Sequence, residues 1–337
     1  MMKKLLCAVL MVMIFATCAF CDANYDLFTA VINEDIQKVN AALNAGADPN
    51  FKARGTTLLM LGVVIHHNTE IIKTLIAAGA DINAVDSFGA SVKDYAIRAS
   101  NAAIREMFAD KFTVQDKLFI ALHEAKSIAE IQELLDAGAD LKAKDALGVS
   151  AMAYAVLNTN PAIIKMVIDA GVDVNKMSGK NSKGVSVLMM AAQLTPNLDI
   201  IKELIRAGAN VNAVDDNGKS ALFYAMDRAG DRTETVSILL ESGADVKQKD
   251  KKNDDVLQYM MYSVQENKTH TPEESFGLMK MLIRAGADVD AKVRKRKSCR
   301  ERLQESKKYY SAKKSPTPED LASLQRVDEL LEMIKAK

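Results

Sequence analysis

The first candidates for chemistry in this chain are its four histidines, four cysteines and paired carboxylates. His66 and His67 are adjacent, and His270 stands alone in Lys268-Thr269-His270-Thr271-Pro272. His123 is followed by Glu124 but lacks the second histidine that a helical zinc motif needs. Cys7, Cys18 and Cys21 share one N-terminal apolar stretch, so beyond it only Cys299 remains. That excludes a disulfide framework and a thiolate cluster for zinc or iron–sulfur in the rest of the chain. Gly218-Lys219-Ser220 matches the end of a phosphate loop, but the glycine required five residues earlier is Ala213. Neither a Gly-x-Ser-x-Gly elbow nor a dinucleotide fingerprint occurs. Asp215-Asp216, Asp254-Asp255 and Glu273-Glu274 fall in turns, where acidic residues cap helices. In Asp250-Lys251-Lys252-Asn253-Asp254, two lysines occupy positions where a calcium loop needs oxygen ligands. The sequence thus predicts no catalytic residue, no metal site and no cofactor, and the protein is expected not to be an enzyme.

The elements around these residues are repetitive. Ala45-Gly46-Ala47-Asp48 returns at Gly79, Gly138, Gly171, Gly208, Gly243 and Gly286, with glycine spacings of 33, 59, 33, 37, 35 and 43. A period near 33 with insertions is a repeat array, and the spacing of 59 fits two units of which one has lost its glycine. Each glycine follows an apolar helical run such as Ile71-Ile72-Lys73-Thr74-Leu75-Ile76, where a left-handed residue closes the helix. A second phrase opens the units: Gly55-Thr56-Thr57, Gly89-Ala90-Ser91, Gly148-Val149-Ser150, Gly184-Val185-Ser186 and Gly218-Lys219-Ser220. Its glycine makes a tight turn, and the hydroxyl two residues on is placed to cap a helix. Each unit reads as turn, helix, helix, glycine. Thirteen methionines beyond the N-terminal stretch are expected as core filling at helix seams.

This arrangement resembles the ankyrin repeat. Leu188-Met189-Met190-Ala191-Ala192, Ile200-Ile201-Lys202-Glu203-Leu204-Ile205 and Gly208-Ala209-Asn210-Val211-Asn212-Ala213 run the length of one unit, and Asp81-Ile82-Asn83-Ala84 and Asp173-Val174-Asn175 repeat its tail. The family's proline is missing from every internal unit, and its histidine position holds Met60, Asp94, Ala153, Met189, Phe223 or Gln258. The resemblance places His66-His67 in the turn between two helices and implies an all-α solenoid of stacked helix-turn-helix units with β-turn fingers. It implies further that finger tips and the inner helix face bind a protein partner. Carried over unit by unit, that selects Phe88, Arg98, Leu147, Asn158, Asn217, Lys219, Arg228 and Tyr262, with Leu157, Leu194, Lys251, Lys252 and Asp254 beside them. Phe88, Leu147, Arg228 and Tyr262 are the best anchors by residue type.

Organisation follows from the phrases. Residues 22–112 hold repeats 1–3 with an N-terminal cap, and 113–292 hold repeats 4–8. Asp116-Lys117-Leu118-Phe119 echoes the first unit and lacks the turn phrase, so 112–116 is a candidate seam, with continuous stacking as the alternative. Thr317-Pro318-Glu319-Asp320 carries helix-start chemistry and opens a C-terminal capping repeat over 315–337. Between them, 293–314 reads as a projecting basic insertion.

Charge sharpens that division. Lys+Arg and Asp+Glu are both 44, which excludes a uniformly basic binder and makes nucleic acid an unexpected partner. Residues 292–314 carry eleven basic side chains against Glu301 and Glu305, a net of +9. With −2 over 315–337 and +2 from Lys3 and Lys4, residues 22–291 are left at −9. The insertion, centred on Arg294, Lys295, Arg296 and Lys297, is either a solubilising surface or a contact for an anionic envelope surface or other polyanion.

At the N-terminus, Lys3-Lys4 precede an uncharged, mainly apolar run from Leu5 to Phe20. The pattern is that of a bacterial signal peptide over 1–21, with cleavage after Ala19, Cys21 or Ala23. A retained anchor and a lipid-modified Cys18 are the alternatives. The reading is of an exported monomer, periplasmic or secreted, that serves as a binding scaffold.

Overall fold

The computed structural model describes residues 23–65, 68–99, 101–124, 126–157, 160–175, 183–195, 197–228, 230, 232–263, 271–292 and 296–335. The segment expected as a signal peptide, His66, His67, His270, Asn158, Arg294 and Lys295 lie outside them, as does the side chain of Tyr262.

Helices come in pairs because each pair is bracketed by cap chemistry. The pairs are α1 (Ala23–Ile32) with α2 (Ile36–Asn44), α3 (Leu58–Ile65) with α4 (Thr69–Ala77), α5 (Val92–Ala96) with α6 (Ala102–Glu106), and α7 (Val114–His123) with α8 (Ile128–Asp136). Then follow α9 (Ala151–Val156) with α10 (Pro161–Asp169), α11 (Val187–Leu194) with α12 (Leu198–Arg206), α13 (Ala221–Met226) with α14 (Thr233–Glu241), and α15 (Val256–Ser263) with α16 (Pro272–Arg284). The final pair is α17 (Cys299–Ser311) with α18 (Pro318–Lys335). Ser150 and Ser186 accept backbone N–H bonds from Ala153 and Met189, as the turn phrase predicts, whereas Ser220 caps α13 without a side-chain bond. Second helices use a signal not singled out in the sequence: Asn68, Asn101, Asn160 and Asn197 each accept from the amide two residues on.

The chain divides into two compact units, 1–149 and 150–337. In the first, Leu58, Leu59, Ile71, Ile72 and Leu75 are fully buried between helices. It runs through 112–116 without a break: Lys93 Nζ meets Asp116 at 2.8 Å, and Arg105 and Arg98 pair with Glu124 and Asp145. The unit that lacks a closing glycine ends instead in a 3-10 turn, Ala109–Lys111, over the buried Phe108. In the second unit Leu188, Ile200, Ile201, Leu204, Leu222 and Phe223 fill the same positions, and Met152, Met189, Met226 and Met260 are buried at the seams.

Neighbouring repeats are tied by amide side chains. Asn50 accepts from the N–H of Asp81 at 2.7 Å and donates to the carbonyl of Gly79 at 3.1 Å. Asn175 does the same with Asn210 and Gly208, and Asn212 with Asp245 and Gly243.

The span expected as a projecting insertion is structured differently. Within it α17 lies along α18 and buries Cys299 and Leu303, while α18 buries Leu330, Leu331 and Ile334. Apolar residues spaced along a strongly charged helix suffice to dock it. The segment is the first helix of the last pair, and the Thr317-Pro318 phrase opens the second.

Candidate functional site

The fingers are shaped by a buried aspartate. Asp86 Oδ1 accepts from the amides of Phe88 (2.8 Å) and Ala90 (3.0 Å), Asp215 Oδ1 from Asn217 and Lys219 (both 2.8 Å), and Asp250 Oδ1 from Lys252 (2.8 Å) and Asp254 (3.0 Å). Two short strands, β1 (Lys52–Ala53) and β2 (Thr56–Thr57), pair antiparallel in one finger. Adjacent fingers touch through backbone: the N–H of Asp216 donates to Lys183 O, and the N–H of Lys251 to Asn217 O, each at 2.7 Å.

A tyrosine on the first helix reinforces the aspartate in two of these fingers, and a third tyrosine ties neighbouring repeats. Tyr95 donates its hydroxyl to Asp86, Tyr224 donates to Asp215 Oδ2 at 3.0 Å, and Tyr259 donates to both oxygens of Asp227 at 2.7 and 2.8 Å. Burial, then the neighbouring carboxylate, pushes all three phenols well above their ordinary range, so they remain neutral donors. The spacing Asp86 to Tyr95 and Asp215 to Tyr224 was the legible signal for this contact.

The expected partner-binding residues fall into two groups. Phe88 is 47% exposed at a finger tip, Asn217 is exposed, and Leu147 is half-buried. Others are engaged within their own unit. Arg98 pairs with Asp145, and Arg228 donates to the carbonyl of Thr195. Lys219 Nζ donates to the Tyr259 hydroxyl at 2.8 Å and lies 4.1 Å from that ring's centroid. Asp254 is not a tip residue: it is buried and bonded to Arg296 Nη1 at 2.9 and 3.1 Å. Leu194, the last residue of α11, is 55% exposed.

The basic segment is partly neutralised. Lys292 pairs with Glu301, Arg296 with Asp254, Lys297 with Glu305, Arg300 with Asp290, Lys307 with Asp328 and Lys313 with Asp320. Four of these six carboxylates lie outside 292–314, so they offset four of the nine net positive charges of that span.

Isolated reactive groups are quiet. Burial, with Arg105 next, holds the His123 imidazole below its usual range. Burial, with Asp255 next, pushes the Cys299 thiol up to about 12. Among the described residues no three metal-ligating side chains gather, and no helix is long and apolar enough to cross a membrane. An open, methionine-lined hollow of about 200 Å³ lies among Met260, Met261, Met279 and Leu303, with Arg302 on its wall.

Sequence comparison agrees with this geometry. The family described as "Ankyrin repeats (3 copies)" matches residues 177–250, and "Ankyrin repeat" matches 54–87. Human ankyrin repeat and SOCS box protein 6 is 31% identical over 167 residues, covering 46% of this chain and 39% of that protein. Human neurogenic locus notch homolog protein 2 is 34% identical over 138 residues, 40% of this chain and 5% of that one. Bovine mitochondrial disaggregase is 31% identical over 140 residues, 38% of this chain and 20% of that one. The chain thus spans well under half the length of these relatives. It carries ankyrin repeats, and its fold is that of an all-α ankyrin-repeat solenoid.

Proposed function

We propose that the protein is a non-enzymatic scaffold that holds a protein partner on the finger tips and inner helix faces of its repeats. The observation that carries this is the arrangement of the fingers. Buried Asp86 and Asp215, each bonded to a tyrosine, lock two fingers from within and leave Phe88 and Asn217 exposed on them, and Leu194 is exposed at the end of α11. Rigid, preordered fingers lose little entropy on binding, and the surfaces that stacked repeats present suit a macromolecule better than a small substrate. The relative named for its ankyrin repeats supports the same reading. The alternative, a polyanion contact through 292–314, is weakened by the six ion pairs that already engage that segment. The run Leu5–Phe20 supports action outside the cytoplasm, periplasmic or secreted, and N-terminal sequencing of the mature chain tests it.

Crosslinking in intact cells, followed by identification of what is captured, tests the scaffold reading. Phe88→Ala with Leu194→Ala is expected to weaken capture about tenfold or more, with the melting temperature little changed. Equal capture by parent and variant overturns it.

A further inference from the structure

Positive charge without an internal counterion sits on one finger of the second unit. Lys247, Lys249, Lys251 and Lys252 are all exposed. Among the described residues none of their ammonium groups lies within ion-pairing distance of a carboxylate, in contrast to the six pairs around α17. The acidic residues of the same stretch are mostly turned away from solvent. Asp250, Asp254 and Asp255 are buried, Asp250 accepting the finger's own amides and Asp254 binding Arg296. Asp245 is exposed and accepts from the backbone N–H of Lys247 at 2.9 Å. The finger is also held in place, because the Lys251 amide donates to Asn217 O in the neighbouring finger, and Lys183 is exposed in the finger beyond that.

From this we propose that the 247–252 finger is a docking point for a short acidic segment of the protein partner, rich in Asp or Glu. The proposal rests on the scaffold reading and specifies the partner's chemistry. Charge complementarity selects the occupant, and the footprint limits its size. Residues 22–291 carry a net charge of −9, so a membrane, cell-wall polymer or nucleic acid that spread beyond the finger would meet repulsion. Screening confines the attraction to about 8 Å at physiological salt, which matches a few carboxylates of one chain segment. Lysines are compact, strongly hydrated point charges, and they attract carboxylates without demanding one fixed geometry.

The test is fluorescence anisotropy of the full chain with a short labelled peptide of alternating Glu and Gly. Replacing the four lysines by glutamine is expected to lower affinity about tenfold or more, replacing them by arginine to retain it, and added salt to weaken the parent but not the glutamine variant. A Lys307→Gln, Lys308→Gln, Lys314→Gln variant on and after α17 is expected to bind as the parent does. Circular dichroism melts of each variant establish that folding is intact. The inference is overturned if the glutamine variant binds the peptide like the parent, if the parent does not bind it, or if phosphatidylglycerol vesicles or oligothymidylate bind the finger more tightly. In the crosslinking experiment the two readings separate. Capture lost with Phe88→Ala, Leu194→Ala but kept with the four glutamines sinks the acidic segment alone, and capture kept by both sinks the scaffold too.

Discussion

Asp255 shows how one residue's surroundings set a measurable pH dependence. Its carboxyl is buried and accepts the Gln258 amide at 2.8 Å, and burial, with Asp288 adding to it, raises its pKa above the usual carboxylate range. A carboxyl raised in the folded state binds its proton more tightly folded than unfolded, so folding gains as pH falls through that raised value toward about 3.9, the unfolded value. Above it the buried charge is a penalty. Asp255→Asn is therefore expected to raise stability at neutral pH and to flatten this part of the pH profile between neutrality and mild acid. Urea melts of both proteins across that range check it, and a variant less stable at neutral pH with an unchanged profile refutes it. The glutamine beside it, buried and bonded from Nε2 to Ala291 O at 2.8 Å, occupies the position where the ankyrin family has histidine.

At the scale of elements, backbone approach separates glycines that look alike in the sequence. Gly184 and Gly208 have φ of +79° and +87°. A Cβ on Gly208 would meet nothing within 4 Å, whereas one on Gly184 would sit 2.9 Å from the amide nitrogen of Asp216 in the next finger. Gly208→Ala is expected to cost about 1–2 kcal/mol for its left-handed conformation. Gly184→Ala should cost more, because the fingers must part as well. Thermal melts decide the order, and equal costs would mean that the fingers yield freely.

The last helix pair makes its own prediction. Asp320 caps α18 through Thr317 and binds Lys313 at 2.6 Å, and the lysine, then Thr317, holds its carboxyl down at about 2. A depressed folded pKa contributes stability above the unfolded value near 3.9 and loses it as pH falls through about 2. Trypsin-like cleavage after Lys307 or Lys308 would require α17 to leave α18, so resistance at neutral pH is expected there. Asp320→Asn should make that cleavage faster at neutral pH. An unchanged digestion pattern counts against the contact.

For the whole molecule, stability is built from neighbour to neighbour. Ile71 is fully buried in the first unit, and Ile71→Ala should cost about 2–5 kcal/mol. In a stack, that loss is felt most by the repeats on either side and fades along the chain. Hydrogen exchange is expected to rise first over α3 and α4 and their neighbours, with α12 to α14 still protected. Uniform loss of protection along the whole chain would instead mean that all repeats unfold as one.

Sequence alone determined the repeat unit and the fold class, because cap residues, closing glycines and apolar helical runs act within about thirty residues and recur. It also made legible which positions reach the finger tips, such as Phe88 and Lys251. What it could not determine was which charged side chains would be consumed by one another. Arg98 and Asp145 are 47 residues apart, Arg296 and Asp254 are 42 apart, and nothing local to either joins them. Ion pairs of that kind form only once stacking has brought distant turns together. For that reason the tertiary structure, and not the count of lysines and arginines, shows which positive charges are paired, six of them in 292–314, and which stand exposed without an ion pair, as the four lysines at 247–252 do.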